Sequence, residues 1–168
     1  MDEKTNVMRL LDQKKIKYNH YSYIDTPATN GVEVANLLNQ DERMVFKTLV
    51  TVGKSKANYV FVIPVAEELN LKEAAKAVGE KSIEMLKSKD LLPLTGYIHG
   101  GCSPIGMKKL FPTYIDETAL SIDIFSISAG QRGLQILAAP KDIIKLIDAC
   151  TADLTMSDII LTDGRVRS

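Results

Sequence analysis

The run Gly100-Gly101-Cys102-Ser103-Pro104-Ile105-Gly106 gathers residues that could do chemistry, and Ser128-Ala129-Gly130-Gln131-Arg132-Gly133 answers it downstream. Glycine lets a backbone approach a ligand or take positive φ, and proline stiffens the path. Loops of this kind can aim amide donors at a carbonyl or phosphate oxygen. Lys47, alone within the apolar run 44–52, adds one cation. The chemistry these residues suggest is a pocket of backbone amides with a single ammonium. Neither loop has the GxGxxG or Walker spacing, so each taken alone also reads as an ordinary turn.

Covalent chemistry is poorly supplied. Cys102 or Ser103 acting as a nucleophile needs a general base, and His20 and His99 are the only histidines. Nothing in the sequence sets either one beside them. Ser103 precedes a proline and lacks a GxSxG elbow, so a substrate-binding hydroxyl is the better reading. Two scattered histidines, with Cys102 and Cys150 far apart, make no recognisable metal set, and no cofactor is called for. For Lys47 two readings stay open. It shares a strand face with Val45 and Leu49, where a buried ammonium needs a partner or a cleft. The alternative is an edge-strand lysine that blunts aggregation. Lysines 14, 15 and 17, 54 and 56, and 108 and 109 read as solvated faces, any one of which could follow a tRNA backbone.

The elements that must position these residues follow from periodicity and punctuation. Residues 5–15 predict a helix capped by Thr5, with Val7, Leu10 and Leu11 on one face. Residues 18–23 predict a strand, broken by Asp25-Thr26-Pro27, and residues 32–38 a short helix with Leu37 and Leu38 turned inward. Residues 44–52 and 59–63 alternate as a hairpin across Gly53-Lys54-Ser55-Lys56. Residues 70–78 predict a helix between an Asn70 cap, with Glu73 three residues on, and Gly79. Residues 82–86 predict a strand and 88–92 a single helical turn. Strands follow at 113–116, 122–128 and 134–138, then a helix from Pro140 to Cys150 with Ile143, Ile144 and Ile147 inward. Patterning weakens after Thr151. Strands and helices mix without regular alternation, which predicts an α+β fold with a largely antiparallel sheet.

Composition narrows the function classes. The 168 residues suit a single domain, 1–168, with 45% hydrophobic residues to build a core. Twenty-one basic residues balance 21 acidic ones, so no global positive field advertises nucleic acid; a small footprint such as a tRNA end stays open. No apolar run approaches the roughly 20 residues of a membrane span. The N-terminus does not read as a signal peptide, and two cysteines without a CxxC pair suit a reducing compartment. A cytoplasmic protein is expected.

In order along the chain stand Phe46-Lys47-Thr48-Leu49, Thr95-Gly96-Tyr97, Gly100-Gly101-x-Ser103-Pro104-x-Gly106-x-Lys108-Lys109 and Ser128-x-Gly130-x-Arg132-Gly133-Leu134. This ordered set, within residues 5–153, resembles the YbaK/EbsC family of free-standing editing proteins, related to the editing domain inserted in bacterial prolyl-tRNA synthetases. The resemblance implies a twisted, partly closed antiparallel sheet or barrel wrapped by helices. It implies hydrolytic editing of mischarged tRNA, typically Cys-tRNA(Pro), in which the substrate's own thiol attacks the ester. Lys47 falls on the family's essential lysine, which contacts the terminal nucleotide. Tyr23 falls on its tyrosine. Gly100, Gly101, Ser103 and Gly106 would bound the aminoacyl pocket, with Ser128 and Gly130 nearby. The expected partners are the acceptor end of a mischarged tRNA and prolyl-tRNA synthetase. One position departs: cysteine-specific members carry an aspartate where this chain has Gln135, so a carboxylate role is not carried over. An Ala-tRNA(Pro) deacylase using water, and a non-catalytic tRNA- or nucleotide-binding module, are the alternatives.

Overall fold

The computed structural model describes residues 4–23 and 31–155. Helix α1 (Asn6–Gln13) starts where Thr5 Oγ1 accepts the Met8 N–H. Strand β1 (Tyr18–Ser22) follows, and the expected break at 25–27 lies outside the described residues. Helix α2 (Gly31–Leu37) buries Val34 and Ala35; Leu38 is half-buried rather than inward, and the Leu37 side chain lies outside the description. Strands β2 (Phe46–Gly53) and β3 (Asn58–Pro64) form the predicted hairpin, with Lys47 opposite Ile63.

β3 is buried on both faces, which explains its unbroken apolar run. Val60 and Val62 enter one core; Phe61 and Ile63 enter a second with α3 (Leu71–Val78) behind it. Asn70 caps α3 by accepting the Lys72 and Glu73 N–H groups, and Gly79 closes it at φ 76°. The reciprocal bond of a capping box is not made. The Asn70 N–H donates to the Leu154 carbonyl at 2.7 Å instead.

Strand β4 (Ile83–Met85) precedes α4 (Ser88–Thr95), which runs past the single turn expected and carries Pro93 inside it. Proline argues against helix in a sequence reading, yet here the helix continues to an αL Gly96. Strand β5 (Thr113–Asp116) leads to a 3-10 turn over Glu117–Ser121, capped by Asp116 accepting the Thr118 N–H. That turn delays β6 (Phe125–Gln131) beyond the predicted 122. Strand β7 (Leu134–Ala138) returns to α5 (Pro140–Ile147), which buries Ile143 and Ile147. Asp148, at φ 53°, ends α5 short of Cys150 and turns the chain into β8 (Cys150–Ala152).

Two sheets result: antiparallel β1-β7-β6 and mixed β4-β2-β3-β5-β8. The mixed sheet departs from the antiparallel expectation, because β5 lies parallel to both β3 and β8. Neither sheet closes on itself. Val45 bridges Ser126, and Phe46 meets Phe125 edge to face at 5.2 Å, joining the sheets over the main core. The chain beyond Thr151 also docks: Leu154 is fully buried, and its N–H reaches Asp116 Oδ1 at 2.9 Å.

Candidate functional site

A cleft of about 880 Å³ opens where β2 approaches β6. Its walls come from residues 45–50 on the β2 side, residues 126–128 of β6, Gln135 of β7, α2, the start of α4, and the 99–102 loop. Lys47 lies in this wall, half-buried. The β4 pairing of β2 covers only Thr51–Gly53, so Lys47 is paired with β3 alone, but at this end the other side of β2 turns toward β6 through the Val45–Ser126 bridge rather than forming an exposed sheet edge. Burial lowers its pKa, while the charges of Glu68 and Glu67 pull it back up. Desolvation disfavours the cation, so an anionic or strongly polar ligand would relieve the strain on it.

Two residues of the cleft lining carry buried hydroxyls that lack a partner: Thr48 Oγ1 and Ser126 Oγ make no hydrogen bond among the described residues. Buried hydroxyls are normally satisfied, and both residues line the cleft. Ser126 and Ser128 alternate along β6, and Ser128 pairs with Gln135 across to β7. Gln135 is only 4% exposed, and its Oε1 accepts from Gln40 Nε2 at 2.6 Å. The floor of the cleft is therefore polar but uncharged.

The glycine loop divides in two. Gly100 and Cys102 line the cleft, and their amides make no hydrogen bond among the described residues. Other donors of the two turns are used: Gly101 N–H to the Ile98 carbonyl, Ile105 N–H to Ser103 Oγ, and Gly130 N–H to Ser128 Oγ. A Cβ on Gly101 would stand 2.8 Å from the Arg132 backbone nitrogen. The two glycine-rich turns thus press backbone to backbone, which only glycine permits. Arg132 then lies across Gly100, with Nη2 donating to the His99 carbonyl at 3.3 Å.

Of the residues singled out in the sequence, Tyr23, Lys47, Gly100, Ser128 and Gln135 line the cleft. Gly101, Ser103, Gly106 and Gly130 lie outside that lining. Ser103 is fully buried, and Gly106 and Gly130 pack against α1 residues and Tyr97. Gly101 and Ser103 are buried and Gly130 is half-buried, while Gly106 is exposed outside the cleft, so these four shape the loop rather than line the cleft. The Tyr23 N–H donates to the Gly133 carbonyl at 2.7 Å. Burial raises the Tyr23 phenol pKa, against a backbone hydrogen bond from Gly133 and the charge of Arg132. Burial also pushes the Cys102 thiol up to about 12, so a thiolate nucleophile there is suppressed. Ser126 and Gln40 escaped the sequence reading, and Thr48 entered it only as part of the Phe46–Leu49 motif, with no role assigned. Ser126 has a faint signal, its period-2 alternation with Ser128; Gln40 has none.

A cleft with one desolvated lysine, an uncharged polar floor and unpaired loop amides is suited to binding and polarising a ligand, and its one thiol is held protonated. The chain belongs to the aminoacyl-tRNA editing domain family, whose model matches residues 26–146. It is 46% identical over 157 residues, 93% of this chain and 96% of the relative, to a protein of Enterococcus faecalis named "Putative Cys-tRNA(Pro)/Cys-tRNA(Cys) deacylase EbsC". It is 28% identical over 109 residues to the proline–tRNA ligase of Shouchella clausii, covering 64% of this chain and 19% of the ligase. Among solved structures, the hypothetical protein APE2540 superposes with a TM-score of 0.82 at 21% identity, over 90% of this chain and 99% of that one. A "putative trans-editing enzyme for prolyl tRNA synthetase" superposes at 0.76 and 24% identity, over 91% and 99%. These two show the fold. The family expected from the ordered motifs is the family found.

Proposed function

We propose that this protein is a trans-editing deacylase that cleaves the aminoacyl ester of mischarged tRNA, with Cys-tRNA(Pro) as its substrate. The observation that carries this reading is the cleft itself: a desolvated Lys47 in one lining with unpartnered hydroxyls and amides, its one thiol held protonated. The near full-length likeness to a protein named as a Cys-tRNA deacylase supports it. Lys47 meets the phosphate or ribose of the terminal nucleotide, for which a mobile ammonium is well suited. Tyr23, Ser128 and Gln135 bound the aminoacyl group. The two sheets serve as a partly closed barrel around it, within one domain acting in the cytoplasm.

The substrate thiol is the nucleophile. Its sulfur bonds to the ester carbonyl carbon, the bond to the ribose oxygen breaks, and the thiol proton ends on that oxygen. The products are a free tRNA terminus and a four-membered thiolactone, which water opens to cysteine. Holding thiol and carbonyl together contributes up to about 7–11 kcal/mol. Each amide donor aimed at the developing oxyanion adds about 3–4 kcal/mol, and the unpaired Gly100 and Cys102 amides take this role in the present reading. Pocket shape discriminates by only about 1–3 kcal/mol per methylene, so prolyl-tRNA synthetase as a partner supplies the choice of tRNA.

The test is release of amino acid from Cys-tRNA(Pro) and Ala-tRNA(Pro) by wild-type protein and by Lys47→Ala. Rapid release of cysteine that collapses in the variant is expected. Release of alanine at a similar rate rules out an obligatory substrate thiol, and binding without release leaves a non-catalytic module.

A further inference from the structure

Gln135 is a buried polar side chain of the cleft lining, and the structure shows what holds it. Its backbone is fixed in the middle strand of the antiparallel sheet, between Tyr21 of β1 and Ser128 of β6. Its side-chain oxygen is occupied by Gln40 Nε2 at 2.6 Å. Gln40 is itself placed by the end of α2. Asn39 takes the left-handed φ of 55°, its N–H donates to the Asn36 carbonyl, and the Gln40 N–H reaches back to the Ala35 carbonyl at 2.8 Å. This is the paired-bond helix ending in which the second residue past the helix is tied to its last turn. The next residue, Asp41, caps the 3-10 turn Glu42–Met44, so Gln40 is held from both sides.

A carboxamide has one acceptor end and one donor end. With Oε1 accepting from Gln40 Nε2, the end of Gln135 left for a ligand is its NH₂; on the other side of the pair, Gln40 Oε1 is buried with no hydrogen-bond partner among the described residues. We infer that Gln40 is a positioning residue that locks the Gln135 carboxamide so that its NH₂ donates to the carbonyl oxygen of the aminoacyl ester. The inference rests on the deacylase reading and deepens it: the uncharged pair makes this part of the cleft a donor site. A carboxylate there could only accept. The open Gly100 and Cys102 amides belong to the same cleft, so the carbonyl oxygen meets donors from the loop and from the sheet. A donor aimed at a developing oxyanion matters most in the transition state.

The experiment is steady-state cleavage of Cys-tRNA(Pro) by wild type, Gln135→Glu, Gln40→Met, Gln135→Met and the Gln40→Met/Gln135→Met double variant, with a melting curve for each. Gln135→Glu keeps the shape and the acceptor for Gln40 but removes the donor. Its kcat should fall about 100-fold with KM little changed, the mark of an interaction made in the transition state. Gln40→Met should lower kcat about 10-fold in the same way. Because Gln40 acts through Gln135, the double variant should match Gln135→Met within about twofold rather than multiply the two losses. Multiplying losses, a rise in KM alone, or losses that track melting temperature would each overturn the inference while leaving the deacylase reading intact. No cleavage by the wild-type protein would overturn both.

Discussion

At its Gly100 end the glycine-rich loop faces the cleft; at its Gly106 end it faces α1 and Tyr97. Both glycines have left-handed φ, 87° and 77°. At the first end the amides of Gly100 and Cys102 stay open and Arg132 lies across the backbone. At the second, Ser103 Oγ takes the Ile105 N–H, and the Ile105 carbonyl accepts from the Tyr97 hydroxyl. Tyr97 is buried deeply enough to push its phenol up to about 12. One short motif thus holds a site and its foundation. Composition alone does not separate them, because turn geometry asks for the same residues in both places.

Substitutions can widen or erase that contrast. The largest effect belongs to Lys47→Met, which should lower deacylation at least about 100-fold. Its thermal stability should hold or rise, since a desolvated cation is removed. The pH dependence of the native lysine has a definite sign. Its folded pKa is lowered, so the unfolded chain binds that proton more tightly. Stability therefore grows as pH rises through the lowered value. Activity that needs the ammonium falls over the same rise, below the pH at which an ordinary lysine titrates. Lys47→Arg, which stays charged, should move that alkaline fall to higher pH; a rate profile measured against pH checks this.

At the foundation the readout is stability. Gly101→Ala sets a Cβ against the Arg132 backbone and should cost about 1–3 kcal/mol in denaturant unfolding. It should also lower turnover, because the two turns separate. Ser103→Ala orphans the buried Ile105 N–H, for about 1–3 kcal/mol, while turnover per folded molecule persists. A Ser103 nucleophile would instead lose nearly all activity. The smallest effect is expected at Cys102→Ala, a fewfold loss at most, because the thiol acts as core filling and is held protonated. A loss on the scale of about 10⁴-fold would return Cys102 to the role of nucleophile.

Much of the fold was legible because its causes are local. Thr5 and Asn70 cap as read, Gly79 closes α3, and the β2–β3 hairpin alternates as predicted. The misreadings lie where distant contacts override local preference. Pro93 continues a helix that packs along the cleft. Asp148 accepts a left-handed φ and releases β8, and β5 pairs in parallel with strands remote in sequence. The site divides in the same way. Lys47 stood out because a cation in an apolar run is costly, and the glycines stood out by type.

By itself the sequence determined the caps, the hairpin, the apolar stripes and the ordered motifs that mark the family, since each depends on neighbours within a few residues. Only the tertiary structure decided which half of the glycine loop meets the cleft, that Cys102 is silenced by burial, and that Gln40 reaches Gln135. Those outcomes depend on which surfaces lose water and which donors find acceptors. The Gln40–Gln135 contact joins residues 95 positions apart, a distance over which no local pattern carries information.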